Sequence, residues 1–240
     1  MADRAYKRVL LKISGEGLCR QGGFGIDGEQ LALIGAEIKT VVQSGVQLAL
    51  VVGGGNFIRG ETLAETSRIP RATGDYMGML GTVINALALQ ETLELLGLDT
   101  RVQSAIAVDR VCEKFVRRRA MRHLDKNRVV ILAGGTGNPF VTTDTCAALR
   151  GTELNVDIIL KATKVDGVYA EDPIQNPQAE IFETLTYDEV IDKRLKIMDL
   201  SAIDLCRQSG ISIVVFNLFK PGNMLRAIRG DKVGTTITLS

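Results

Sequence analysis

Tryptophan is absent from this 240-residue chain and histidine occurs once. The single imidazole, His123, lies in the basic stretch Arg117 to Lys126 and reads as a solvated surface residue. That placement argues against a Ser-His-Asp hydrolase or a histidine-ligated metal enzyme. The four cysteines, Cys19, Cys112, Cys146 and Cys206, stand far apart, with no C-x-x-C pair and no zinc spacing. They read as free thiols in a reducing compartment, and the chain as cytoplasmic. No run approaches the roughly 18 apolar residues of a membrane span, and the start of the chain carries charges rather than an apolar leader core. Charge of one sign is also missing, since 29 Lys and Arg face 28 Asp and Glu. No overall field recruits nucleic acid or an anionic membrane, so any anion site must be built locally.

What remains is ordinary globular composition, 45% hydrophobic and 24% charged, in a chain long enough for one domain with a real core. Apolar, β-branched runs at Arg8 to Ile13, Val46 to Val52, Arg128 to Ala133, Val156 to Leu160 and Ile211 to Phe216 read as buried strands with helical stretches between them. This alternation predicts a three-layer α/β/α sandwich around a mainly parallel, twisted sheet of Rossmann-like type. Leu31, Ile34, Ile38 and Val41 follow helical spacing, with Asp27 placed to cap the helix and Gly45 to stop it. A second helix is predicted over Thr73 to Gly97. Its charges are few, and Met77, Leu80, Val83, Ile84, Leu87 and Leu93 point in most directions, so it is either a central core helix or one whose second side packs on another subunit. The segment Ala162 to Pro177 reads as a long functional loop. A lobe boundary falls near Arg150 and Gly151, dividing a single domain over 1–240 into lobes of about 1–150 and 151–240.

Three glycine-rich turns follow strands: Lys12-Ile13-Ser14-Gly15, Gly53-Gly54-Gly55-Asn56, and Gly134-Gly135-Thr136-Gly137-Asn138-Pro139. In a parallel sheet such turns converge on one edge, where glycine lets backbone N–H groups approach phosphate. Lys12 at a strand end, Arg59 just past the triple glycine and Asp144 at a helix start supply the cations and carboxylate that phosphoryl transfer needs. Lys12 and Asp144 each also have an ordinary explanation, as a snorkelling lysine and as a carboxylate favoured at a helix start. There is no G-x-x-x-x-G-K-[ST] loop. A formal G-x-G-x-x-G at Gly23, Gly25 and Gly28 is separated from the first strand by nine residues, too far for a dinucleotide fingerprint, and reads as a flexible loop.

The segments Leu11 to Glu16, Gly53 to Gly60, Gly74-Asp75-Tyr76-Met77-Gly78-Met79, Gly135 to Asp144 and Lys161 to Tyr169 resemble the bacterial UMP kinases of the amino acid kinase superfamily, almost end to end. The resemblance implies ATP and UMP as substrates, Mg²⁺ carried with ATP and no dedicated metal ligands, and direct in-line transfer that yields UDP for pyrimidine nucleotide synthesis. It places the acceptor on the N-terminal lobe and ATP on the C-terminal one. It assigns Lys12, Ile13, Ser14 and Gly15 to the ATP phosphates, Gly55 and Arg59 near the transferring group, and Thr163, Tyr169 and Asp172 to the adenine and ribose. UMP would meet Gly54, Asp75, Thr136, Gly137, Asn138, Pro139, Phe140, Val141, Thr142 and Thr143, with Asp75 on the ribose hydroxyls. Lys12, Asp144 and Arg59 would carry the chemistry, with Lys161 a further cation ranked below Lys12. A homohexamer activated by GTP and inhibited by UTP is implied, with Arg20, Gln21, Gly22, Gly23, Phe24 and Gly25 resembling part of the GTP-responsive region. Arg101 and Arg128 match further basic positions of it. The segment Glu61 to Thr73 is slightly longer than the pattern. A superfamily kinase acting on a carboxylate or carbamate, a non-catalytic nucleotide-binding relative and a dinucleotide binder are the alternatives.

Overall fold

A computed structural model describes residues 5–20, 22–171, 173, 175–176 and 178–239. In chain order the strands are β1 (Arg8–Ile13), β2 (Gln47–Val52), β3 (Thr100–Ser104), β4 (Glu113–Lys114), β5 (Val129–Ala133), β6 (Ile158–Thr163), β7 (Thr184–Thr186), β8 (Ser212–Asn217) and β9 (Thr235–Thr238). The helices are α1 (Gly28–Gln43), α2 (Gly60–Thr66), α3 (Arg71–Leu95), α4 (Arg117–Asp125), α5 (Thr143–Leu154), α6 (Tyr187–Asp192), α7 (Leu200–Ser209) and α8 (Asn223–Arg229). The strands join in one sheet in the order β4-β3-β5-β2-β1-β6-β8-β9-β7, with only the β8–β9 pair antiparallel. The α/β class and the mainly parallel sheet are as the alternation predicted.

The pleat explains the two covering layers. On β1, Val9, Leu11 and Ile13 point into a core shared with α1, α3 and α8, whereas Leu10 points into one shared with α4, α5, α6 and α7. Five central strands buried on both faces are the continuous apolar runs that the sequence displays. The chain places β1 to β5 on one side of the sheet and then crosses to β6 beyond β1. The strand ends beside this crossover form the crevice where open α/β sheets bind ligands.

Most boundaries move by one or two residues. Asp27 caps α1 through Glu29 N and Gln30 N, and Gly45 follows it with φ +85°. The strand expected at Val156 starts two residues later, because Val156 N bonds back to Gly151 O and Asn155 takes a left-handed turn to end α5. The long helix starts at Arg71 behind Pro70 rather than at Thr73. Within Glu61 to Thr73 the structure builds α2, which crosses α3 so closely that a Cβ on Gly74 would lie 2.9 Å from Gly60 Cα. Of the segment Ala162 to Pro177, its first two residues extend β6, while 172, 174 and 177 lie outside the described residues.

Candidate active site

The three glycine turns meet. A Cβ on Gly15 would lie 2.8 Å from Gly55 N, so the first two turns touch backbone to backbone. Gly54 lies against α3, where a Cβ would stand 2.4 Å from Gly78 O. Two buried polar residues of α3 tie the turns together. Asn85 Nδ2 donates to Gly53 O and to Asn56 Oδ1, both at 2.7 Å, and Asn56 Nδ2 returns a bond to Asn85 Oδ1. Thr82 Oγ1 accepts Gly134 N–H from the third turn at 2.7 Å. Buried polar groups are tolerable because they are bonded.

Behind the turns lies a charged hub. Lys12 Nζ meets Asp144 Oδ1 at 2.7 Å, and Lys161 Nζ meets Asp144 Oδ2 at 2.7 Å. Lys161 Nζ also donates to the Ile197 carbonyl. Lys161, ranked second in the sequence, is thus the equal partner of Lys12. Burial opposes ionisation of Asp144 more than any other single influence, but Lys12 and Lys161 together outweigh it and hold the carboxyl below the usual aspartate range. Burial, helped by the Lys12 charge, lowers the Lys161 ammonium against the pull of Asp144. Thr142 caps α5 by accepting from Asp144 N and Thr145 N, and its hydroxyl donates to Asp199. Sequence reasoning missed Asp199, Asn85 and Thr82.

One cleft, of about 320 Å³, opens from Lys12 towards α2 and α3, and Gly54, Gly55, Arg59, Asp75, Thr136 and Val141 to Thr143 line it. Asp75 Oδ2 accepts Phe140 N–H at 2.8 Å, and Arg71 Nε donates to Asp75 Oδ1 at 2.9 Å. Phe140 itself is exposed at a φ of +65°. With Gly137, Asn138 and Pro139 it lies outside the residues that line the cleft. Arg59 pairs with Glu16, which also meets Lys164 Nζ at 3.5 Å. Despite burial, those cations hold the Glu16 carboxyl below its usual range.

A second cleft, of about 580 Å³, opens on the other side of Lys161 and is lined by Thr163, Tyr169, Glu171 and Lys193 to Ile197. Lys12, Ser14, Glu16, Lys161 and Thr163 line a third space, also of about 320 Å³, with Phe219. Through Lys12 and Lys161 this space adjoins both clefts. Gly55 and Arg59, which the resemblance placed near the transferring group, line the first cleft, as does Gly15 of the residues assigned to the ATP phosphates. Asp172 and Gln21 lie outside the described residues. Ile13, assigned to the ATP phosphates, is fully buried in the core and lines none of these three spaces.

The loop around Gly22 to Gly25 stands apart from the hub but is tied to the second turn, with Gly25 N donating to Asn56 O at 2.9 Å and Asn56 Nδ2 to Gly25 O at 2.7 Å. Phe24 packs edge-on against Phe57, and Arg20 pairs with Asp27. Arg101 pairs with Glu94 and Arg128 with Asp99. The surface assignment of His123 is overturned. Only 8% exposed, it lies between Glu113 Oε2 at 3.2 Å and Arg128 Nη1 at 3.3 Å, because α4 turns its apolar side and this ring inward against the sheet.

A parallel α/β sheet whose switch point carries two anion-ready clefts on either side of a Lys-Asp-Lys hub defines the class of phosphoryl-transfer enzymes. Residues 7–217 match the amino acid kinase family. The chain is 52% identical over 237 residues to a uridylate kinase of Methylococcus capsulatus, covering 99% of both chains. It is 52% identical over 232 residues to a chloroplastic uridylate kinase of Arabidopsis thaliana, covering 97% of this chain and 68% of that one. Its structure is similar to that of UMP kinase from Bacillus anthracis, with a TM-score of 0.95 at 40% identity over 99% of this chain and 98% of that one. The chain belongs to the amino acid kinase family and, within it, to the group of the uridylate kinases.

Proposed function

We propose that this chain transfers the γ-phosphoryl group of ATP to UMP. The observation that carries the reading is the Lys12–Asp144–Lys161 hub at the junction of two clefts, one on each side of the sheet switch point. Full-length relatives named uridylate kinases supply the choice of acceptor.

UMP near neutral pH is mostly a dianion, its second phosphate pKa being about 6, so the acceptor needs no general base. The obstacle is the repulsion of two anions. Lys12 and Lys161 offset charge on the donor phosphates, while Asp144 holds the two ammonium groups at a fixed separation and prevents their mutual repulsion from splaying them. Arg59, released from Glu16, and the N–H groups of the glycine turns hold the acceptor phosphate in line. Asp75 takes the ribose hydroxyls, and Thr163 and Tyr169 border the adenosine. Mg²⁺ entering with ATP would supply further neutralisation of the donor phosphates. Both Asp144 oxygens face lysines, and the metal would be held chiefly by ATP oxygens.

The reading includes a homohexamer, with GTP activation and UTP inhibition acting through the Gly22 to Gly25 loop, whose bonds to Asn56 give it a path to the acceptor turn. Four free thiols support a reducing, cytoplasmic setting. Product analysis after incubating the protein with Mg·ATP and UMP, CMP, dUMP or small carboxylates tests the assignment. UDP as the dominant product supports it, and acyl phosphate or carbamoyl phosphate as the dominant product moves the chain to another acceptor class.

A further inference from the structure

We propose that Asp199 is a positioning residue for phosphoryl transfer, clamping the first turn of α5, and with it Asp144, onto the C-terminal half of the sheet. The inference rests on the phosphotransferase reading above and adds a residue to it. Asp199 caps α7, accepting Ala202 N–H on Oδ1 at 2.9 Å. A cap needs one oxygen only. Asp199 does more, because Oδ1 also accepts the Thr145 hydroxyl at 2.7 Å and Oδ2 accepts the Thr142 hydroxyl. Both threonines belong to the start of α5, more than fifty positions earlier in the chain.

The Thr142 contact reaches the hub through a defined relay. A hydroxyl has one hydrogen and two lone pairs. By donating that hydrogen to Asp199, Thr142 keeps its oxygen free to accept Asp144 N–H at 3.0 Å and Thr145 N–H at 3.3 Å. The backbone of Asp144 is therefore fixed from the C-terminal half while its carboxylate receives the two lysines. Two residues before Asp199, the Ile197 carbonyl takes Lys161 Nζ. The turn 197–199 thus holds two of the three hub members, one by each end. Charge points the same way. Lys161 faces Asp144 from α5, Lys12 from β1 and Asp199 from the start of α7, so four groups sum to neutrality with Asp199 and to one net positive charge without it.

The test uses Asp199→Asn in the full chain. Asparagine keeps an oxygen for the α7 cap, but its amide presents hydrogens to Thr142 and competes with Asp144 N–H for the same oxygen. Losing one hydrogen bond to a charged group predicts a fall in kcat of about ten- to a hundredfold. Both KM values stay within about twofold, and the basic limb of the kcat–pH profile moves to lower pH as Lys161 loses an anionic neighbour. Thr145→Val gives a smaller fall in the same direction, and Thr145→Ser restores the rate. In the ligand-free protein, hydrogen exchange in the first turn of α5 rises in Asp199→Asn. A variant with wild-type kcat, an unmoved pH profile and unchanged exchange overturns the proposal. So does one that loses rate only in proportion to lost folded protein. If the wild-type protein fails to phosphorylate UMP, the acceptor assignment is wrong, while the exchange measurement still decides the clamp.

Discussion

Lys12 and Lys161 are register partners on the adjacent parallel strands β1 and β6. Because side chains alternate across a strand, Lys12 leaves the sheet on the face of Leu10, the face that α5 covers. Neighbouring strands stand about 4.8 Å apart, so two ammonium groups on paired positions need a carboxylate between them. Asp144 provides it. Removing either lysine takes away a preorganised cation worth about 3 to 4 kcal/mol in the transition state. Lys12→Ala and Lys161→Ala are each expected to lower kcat by about a hundred- to a thousandfold. The double variant should be little worse than the singles, since they act as one unit. Steady-state kinetics with both substrates varied checks this.

Asp144 couples the hub to pH. Its folded pKa lies below its unfolded one, so the stabilisation is complete above the ordinary aspartate value of about 4 and is lost as pH falls through the lower folded value. Urea titrations should therefore show Asp144→Asn least different from the parent in acid and most different near neutrality. The hub is less exposed than a crevice edge implies, with the Asp144 side chain at 15%. Leaving its lysines without a charge partner costs about 3 kcal/mol. Equal sensitivity at pH 3 and pH 7 would remove the assigned role in stability.

Asp75 lines the first cleft, and a contact of its carboxylate with the UMP ribose would exist before and during transfer. Asp75→Asn should raise the UMP KM by about tenfold with kcat nearly kept. Gly60→Ala should act in the same sense, because its methyl carbon would stand 2.3 Å from Asp75 Oδ1. An unchanged UMP KM in Asp75→Asn means that the acceptor lies elsewhere.

On α3, Tyr76, Leu80 and Ile84 recur every four residues and are each nearly half exposed. A stripe of this kind is what a subunit contact covers. Light scattering at micromolar concentration should give a mass well above the 26.0 kDa chain. Leu80→Glu with Ile84→Glu should reduce it. A monomeric parent protein removes the hexamer from the account.

The central strands were legible in the sequence because burial on both faces makes them continuous apolar runs, and the glycine turns followed from their ends. The outer strands, two at each side of the sheet, were not, since Thr100–Ser104, Glu113–Lys114, Thr184–Thr186 and Thr235–Thr238 are short and polar. Thr82 and Asn85 were lost inside an apolar helix, where spacing cannot show that two buried side chains answer two glycine turns. Lys161 was undervalued because register between strands is not written in spacing. Asp199 carried one readable signal, its place as a helix cap, and that signal says nothing of its second oxygen. His123 was misread because a basic stretch looks solvated until the face it turns to the sheet is known.

The most direct test of the central claim is a single-turnover reaction of the protein with ATP labelled in the γ-phosphate, with and without UMP, followed in the millisecond range. One in-line step from ATP to UMP predicts that the label appears in UDP at the rate it leaves ATP, with no labelled protein at any time. Label held on the protein in the absence of UMP, or passed to another acceptor while UMP is ignored, contradicts it.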